Sequence, residues 1–202
     1  MNLRHRLWIS TGAALLAFGC SGDPEPQPAE PAPQQAPAPA EQAPEVDPFT
    51  TVARVLRHPR CLNCHPAGDR PRVGDDARIH PQNVQRGPEN HGMPGLHCAT
   101  CHQPANQPLA GVPGAPHWGL APRSMAWEGL DDHALAEALK DRAKNGDRSL
   151  EQLLEHVSHD ALVLWGWDPG PGREAVPVAH DAFVAAFRAW IEGGAASPPA
   201  KQ

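Results

Sequence analysis

The chain has 202 residues, with 25 prolines, 18 glycines and no tyrosine, and 40% of its residues are apolar. That length suits one domain of ordinary size beside an unfolded segment. Past the N-terminus no run is apolar enough to span a bilayer, which excludes a polytopic membrane protein. The net charge of −6 is concentrated, because Asp23, Glu25, Glu30, Glu41, Glu45 and Asp47 share a stretch free of Lys and Arg. The remainder has no cationic excess to neutralise phosphates, which argues against a nucleic-acid partner.

Taken in chain order, residues 1–19 place Arg4 and Arg6 ahead of an apolar run through Ala13, Leu15, Leu16 and Phe18. This is the layout of an export signal. Gly19 before Cys20 resembles the lipobox of bacterial lipoproteins, in which cleavage precedes the cysteine and the lipid is carried on it; a free thiol there outside the cytoplasm would be a liability. Residues 20–47 are Pro, Ala, Gln and Glu with almost no large apolar side chain, so they cannot offset their chain entropy. At ~3.1 Å per residue in polyproline II, this linker reaches at most ~90 Å. It reads as a spacer between a lipid anchor and a domain over 48–194, followed by a flexible tail over 195–202.

Asp47-Pro48 predicts a capped helix start, with Phe49, Val52, Val55 and Leu56 on one face. From Arg60 to Trp118 the chain is rich in Gly, Pro, Asn and His and predicts irregular structure, a stretch that a compact domain tolerates only if something else organises it. Helical spacing returns after Leu130 with Ala134, Leu135 and Leu139, stopping near Gly146. Ser149 and Gln152 form a capping box ahead of Leu153, Leu154 and Val157. A turn at Asp168–Gly172 precedes an amphipathic helix from about Asp181 to Gly193-Gly194. No strand signal stands out, so the expected fold is mainly α and loop-rich, with few or no strands.

The cysteines carry the chemistry. Besides Cys20, they fall as Cys61-Leu62-Asn63-Cys64-His65 and Cys98-Ala99-Thr100-Cys101-His102. C-x-x-C-H reads as a c-type haem attachment site. Two thiols three residues apart reach the two vinyl groups of one porphyrin edge, and the following histidine lies under the ring with its imidazole on the iron. Zinc held by four thiolates leaves both histidines unexplained. Two C-x-x-C disulfides would be of the redox-active rather than the structural kind. Two covalent haems also account for the irregular middle, since large apolar rings replace the missing side-chain core.

What each haem does depends on the sixth ligand: two filled faces pass electrons, one open face binds small ligands. His80 and Met125 are the leading distal candidates; His91, His97, His117, His156, His159, His180 and Met93 are the others. Trp118, Trp127, Trp165, Trp167 and Trp190 read as ordinary core. Arg70, Arg72, Arg78 and Arg86 lie between the motifs, either as partners of haem propionates or as a solvated face.

The two motifs make the chain resemble a small bacterial dihaem cytochrome c. The segments HPRCLNCHPAGDRP, NVQRGP, CATCHQ, PGAPHWGLAPRSMAWEGL, LVLWGW and FRAW are similar to exported proteins labelled as a cytochrome subunit of isoquinoline 1-oxidoreductase. Carried over by motif, the resemblance implies thioethers at Cys61, Cys64, Cys98 and Cys101, iron ligation by His65 and His102, and electrons from a periplasmic molybdenum hydroxylase. The expectation is an exported, lipid-anchored carrier of single electrons between redox partner proteins, on the periplasmic side of a membrane, rather than an enzyme. The rivals are a dihaem peroxidase with one five-coordinate iron and a haem-based sensor.

Overall fold

The structure, a computed structural model, describes residues 47–200. The expected signal segment, Cys20 and nearly all of the linker lie outside these residues. Helix α1 (Pro48–Leu56) starts as its sequence dictates: the Asp47 carboxylate accepts the Phe49 N–H at 3.0 Å and Pro48 takes the first helical position. A short α2 (Pro59–Leu62) follows, opened by His58, whose Nδ1 accepts the Arg60 N–H at 3.3 Å. The later helices are α3 (Asp132–Lys140), α4 (Leu150–His159), α5 (Ala161–Leu164) and α6 (His180–Glu192). At α4 both halves of the capping box are present, with the Ser149 N–H on Gln152 Oε1 at 2.8 Å and the Gln152 N–H on Ser149 Oγ at 3.2 Å. Helix α3 ends at Asp141, ahead of the expected stop at Gly146, and α6 ends at Gly193.

The fold is mostly helical, with two small antiparallel hairpins: β1 (Arg72–Val73) with β2 (Arg78–Ile79), and β3 (Gly92–Met93) with β4 (Leu96–His97). Two-residue strands are too short to show alternation in sequence. The turn after β1 instead depends on Gly74, at φ 78, where a side chain would be strained and would meet Arg78 and Asp76. Single 3-10 turns cover Cys98–Thr100 and Arg123–Met125. Among the described residues no helix is long and apolar enough to cross a membrane.

Helices α1, α3, α4 and α6 enclose the hydrophobic core. Phe49, Val52 and Val55 of α1 meet Leu135 of α3, Leu153 of α4 and Phe183, Phe187 and Trp190 of α6, all essentially without solvent contact. Phe49 packs on Trp190 with ring centroids 5.0 Å apart, and Phe187 on Trp190 at 5.5 Å. Each such side chain contributes roughly 1.5–3 kcal/mol of burial free energy. The residues after Gly193 join this body: Ala195 is buried, the Trp190 Nε1–H donates to the Ala196 carbonyl at 2.8 Å, and His133 bonds the Pro198 carbonyl at 2.8 Å. Where the sequence suggests a tail from 195, residues 195–198 are thus docked on α3 and α6.

The core takes no member from between Leu62 and Ala121. That segment holds both hairpins and the second motif, and polar ties keep it in place. The buried Arg86 guanidinium donates to the carbonyls of Ala121 and Gly68 and to Asn90 Oδ1. Asn106 Oδ1 accepts from the Gly114 N–H at 3.0 Å and from Trp165 Nε1–H at 2.8 Å. A lobe of this length with no apolar core of its own is what the irregular composition of 60–118 predicts.

Candidate functional site

Helix α2 and the turn after it carry the first motif, and the 3-10 turn at 98–100 carries the second. Each motif is wound into one compact turn: the Cys64 N–H bonds the Cys61 carbonyl at 3.1 Å, and the Cys101 N–H bonds the Cys98 carbonyl at 3.2 Å. In both, the cysteines and the histidine are therefore presented from a single turn.

The two histidines are held alike. His65 Nδ1–H donates to the Met125 carbonyl at 2.7 Å, and His102 Nδ1–H donates to the Pro113 carbonyl at 2.7 Å. Because a carbonyl only accepts, each bond puts the ring proton on Nδ1 and leaves Nε2 with its lone pair. A metal-binding histidine is oriented by this same kind of contact. Each ring also lies flat on a tryptophan: His65 on Trp127, centroids 3.5 Å and 7° apart in plane, and His102 on Trp118 at 4.6 Å and 10°. The Trp127 N–H further bonds the His65 carbonyl at 3.0 Å.

Burial keeps these groups uncharged. It pushes His65 down to about 4, and lowers His102 as well. His80 is lowered first by burial and then by the nearby His102. Neutral imidazole is the form that binds metal. Burial pushes the Cys61 thiol up to about 12 and the Cys64 thiol up to about 11, the latter also raised by Cys98, and it raises Cys98 too. Redox-active C-x-x-C pairs have depressed thiol pKa values, so these thiols are of the opposite kind. All four are free, and among the described residues no group of three or more His, Cys, Asp or Glu gathers to hold an ion.

The motifs meet at one cavity of about 620 Å³, within the ~300–1,000 Å³ span of ligand sites. Cys64 of the first motif lines it together with Cys98, Cys101 and His102 of the second, and with His80. The His80 ring stands 6.2 Å from that of His102, centroid to centroid, with planes at 71°. His80 Nδ1 has only a long 3.4 Å contact, with the Gln82 N–H. Coordination through Nε2 would move the ring proton to Nδ1 and forgo that contact, which lies beyond the usual ~2.7–3.2 Å range. With a haem bound at the second motif, His102 and His80 are the residues that would hold its iron. Donor set, thiol placement and cavity volume all fit a covalently held porphyrin at the second motif.

The remaining candidates stand in different surroundings. Met125 is buried in the helical core, its sulfur lies against Gly146, and its carbonyl supports the Nδ1 side of His65. His180 Nε2 lies 2.9 Å from the Val157 carbonyl, joining α6 to α4, and the exposed His159 has its Nδ1 3.0 Å from Glu155 Oε1. His91 and His97 stack at 5.9 Å and line, with His117, Trp118 and His102 itself, a second pocket of about 420 Å³. His156 sits half-buried on α4 next to Asp160, and Met93 is exposed. The tryptophans divide: Trp127 and Trp190 belong to the core, as expected, whereas Trp118 and Trp165 face the cavity. Of the expected cations, Arg86 donates to two carbonyls and Asn90 and lies 3.5 Å from Asp69, while Arg72 pairs with Glu128 and Arg78 with Asp76. Arg60 and Arg173 also line the cavity. Sequence reading passes over both, since one adjoins a motif and the other is far along the chain. No family model, curated protein or solved structure matches the chain.

Proposed function

We propose that this protein is a c-type cytochrome with two covalent haems, one at Cys61, Cys64 and His65 and one at Cys98, Cys101 and His102, and that it transfers single electrons. The observation that carries the reading is the matched support of the two motif histidines: each gives Nδ1–H to a main-chain carbonyl at 2.7 Å and lies flat on a tryptophan. Two sites with the same spacing and the same orienting contacts are hard to obtain unless both imidazoles serve the same purpose. The lobe from 63 to 120, outside the apolar core, supports the reading independently, because a porphyrin supplies the large apolar surface its side chains lack.

At the second motif His80 serves as the distal ligand, giving a six-coordinate iron that cycles between ferric and ferrous without binding substrate. The export signal and Cys20 make the protein a periplasmic-side lipoprotein, and the linker keeps the domain close to membrane partners, raising its effective concentration there. The resemblance to cytochrome subunits of isoquinoline 1-oxidoreductase makes a molybdenum hydroxylase the proposed electron donor.

One asymmetry favours a second reading. His65 has Trp127 as its ring partner, Met125 backs its Nδ1 side, and His156 of α4 is near enough for its charge to act on the ring. An iron there with an open face would suit a peroxidase-type enzyme or a sensor. The decisive experiment is an absorption spectrum of the reduced, purified protein in pyridine, with an intact mass: two haems per chain are expected, and a colourless chain overturns the proposal. Carbon monoxide added to the reduced protein separates the readings, since an unchanged spectrum supports the carrier and a change at one haem supports the enzyme or sensor.

A further inference from the structure

His80 reaches the second motif from a hairpin that is fastened to the first. It stands directly after β2, and its N–H bonds the carbonyl of Pro71, just before β1, at 3.0 Å. Asn63, the residue before Cys64, holds this hairpin at two points. Its main-chain carbonyl accepts the Arg72 N–H at 3.1 Å, and its Nδ2–H donates to the Gly74 carbonyl at 3.0 Å. Asn63 is buried, so water competes little for these bonds. Arg60, three residues earlier, pairs with Asp75 in the hairpin turn. Glu128 adds a third tie, with one carboxylate oxygen on Arg72 Nη2 at 2.7 Å and the other on the N–H of Ala67, two residues past His65, at 2.9 Å. Among the described residues no hydrogen bond or ion pair joins 71–80 to 98–102, where the facing rings of His80 and His102 are the link.

The distal histidine of one site is thus mounted on the other. Building on the dihaem reading above, with His80 the distal ligand at the second motif, we infer that Asn63 is a positioning residue for the second haem. By clamping the β1–β2 hairpin it keeps His80 on that iron, so the first attachment turn controls coordination at the second. Asn63 acts through the hairpin and is not itself a ligand. The physical basis is preorganisation. A ligand on a loose loop must be ordered each time it binds, and that entropy weakens its bond, whereas a clamped hairpin is ordered already. Removing the Nδ2 donor leaves the Gly74 carbonyl without its partner, and the loss of one such bond shifts an equilibrium about tenfold.

The test is carbon monoxide binding to the reduced, haem-loaded protein, with haems counted first in pyridine. Carbon monoxide competes with His80 for the second iron, so a looser hairpin is read as tighter binding. Asn63→Leu, close to asparagine in volume but without the donor, is expected to raise the second haem's affinity for carbon monoxide about tenfold and to add high-spin character to its spectrum. Added imidazole is expected to restore the low-spin spectrum, which a collapsed site would not allow. Asp75→Asn weakens the tie to Arg60 and shifts the affinity in the same direction, and it keeps the inference testable if Asn63→Leu does not load haem at the first motif. A C98A/C101A chain, which carries the first haem alone, assigns the effect. If Asn63→Leu changes carbon monoxide binding there as much as in the full chain, the effect belongs to the first haem and the inference is overturned. It is equally overturned if both variants leave the second haem low-spin with wild-type affinity. A wild-type chain without haem overturns the dihaem reading, and an unaltered spectrum in His80→Ala overturns the ligand assignment. Either takes the inference with it, and both differ from silent Asn63 and Asp75 variants in a protein that responds to His80→Ala.

Discussion

His80 and His102 face each other across the cavity with ring centroids 6.2 Å apart and planes at 71°, the one from the loop after β2 and the other from the turn that carries the second motif. The His80 N–H bonds the Pro71 carbonyl at 3.0 Å, which holds the loop to the base of the first hairpin, while the Pro113 carbonyl fixes the His102 ring.

On the dihaem reading proposed above, His80→Ala opens one face of the second haem. In the reduced protein one haem of the two is expected to become high-spin and to bind carbon monoxide, and added imidazole is expected to restore the low-spin spectrum. Absorption spectroscopy reads both effects, and an unaltered spectrum would remove His80 from the ligand set.

Trp127 ties the first motif to the helical core. Its indole is 9% exposed and covers the His65 ring. Trp127→Ala should cost ~3–5 kcal/mol, as large-to-small core changes do, while Trp127→Phe retains an aromatic face and should cost clearly less. Denaturant midpoints at constant slope measure both.

The lobe between residues 63 and 120 adds no member to the helical core cluster, its buried Ala115 and Leu120 standing apart from it. In a chain produced without haem attachment, limited proteolysis is expected to cut within this lobe before it cuts α1, α3, α4 or α6, and haem attachment is expected to slow those cuts at least tenfold. Mass spectrometry of the fragments locates the sites. Equal cutting rates with and without haem would show that the lobe is ordered by its polar ties alone.

His58 opens α2 by accepting the Arg60 N–H, a role only the neutral ring can play. Burial, and then the positive charge of Arg60, lower its pKa from 6.5. The unfolded chain thus takes up this proton at a higher pH than the folded one. The contribution of His58 is complete above pH 6.5 and is lost as pH falls below that value. His58→Asn keeps an acceptor at the cap and removes the titration, so the decline in unfolding midpoint between pH 7.5 and 5.5 should be shallower in the variant.

Ser149 closes the capping box of α4 on an exposed helix start. Ser149→Ala is expected to cost ~1 kcal/mol, visible as a lower urea midpoint.

What was legible in the sequence is what short-range physics governs. Asp47-Pro48, the Ser149–Gln152 box and the Gly193 stop act over a few residues, and the apolar spacing of Phe49, Val52, Val55 and Leu56 names the buried face of a helix without reference to its partners. The two C-x-x-C-H pentapeptides are likewise local, because thiols and imidazole must be delivered from one turn. Tertiary structure alone could decide the rest. That His80 rather than Met125 stands opposite His102, and that Met125 and Pro113 lend carbonyls to the motif histidines, both depend on contacts between residues far apart in the chain. No spacing rule encodes such contacts. They arise when the helical core brings the strands and turns of a loop-rich lobe together, and their energies are sums over many weak terms that no single residue carries.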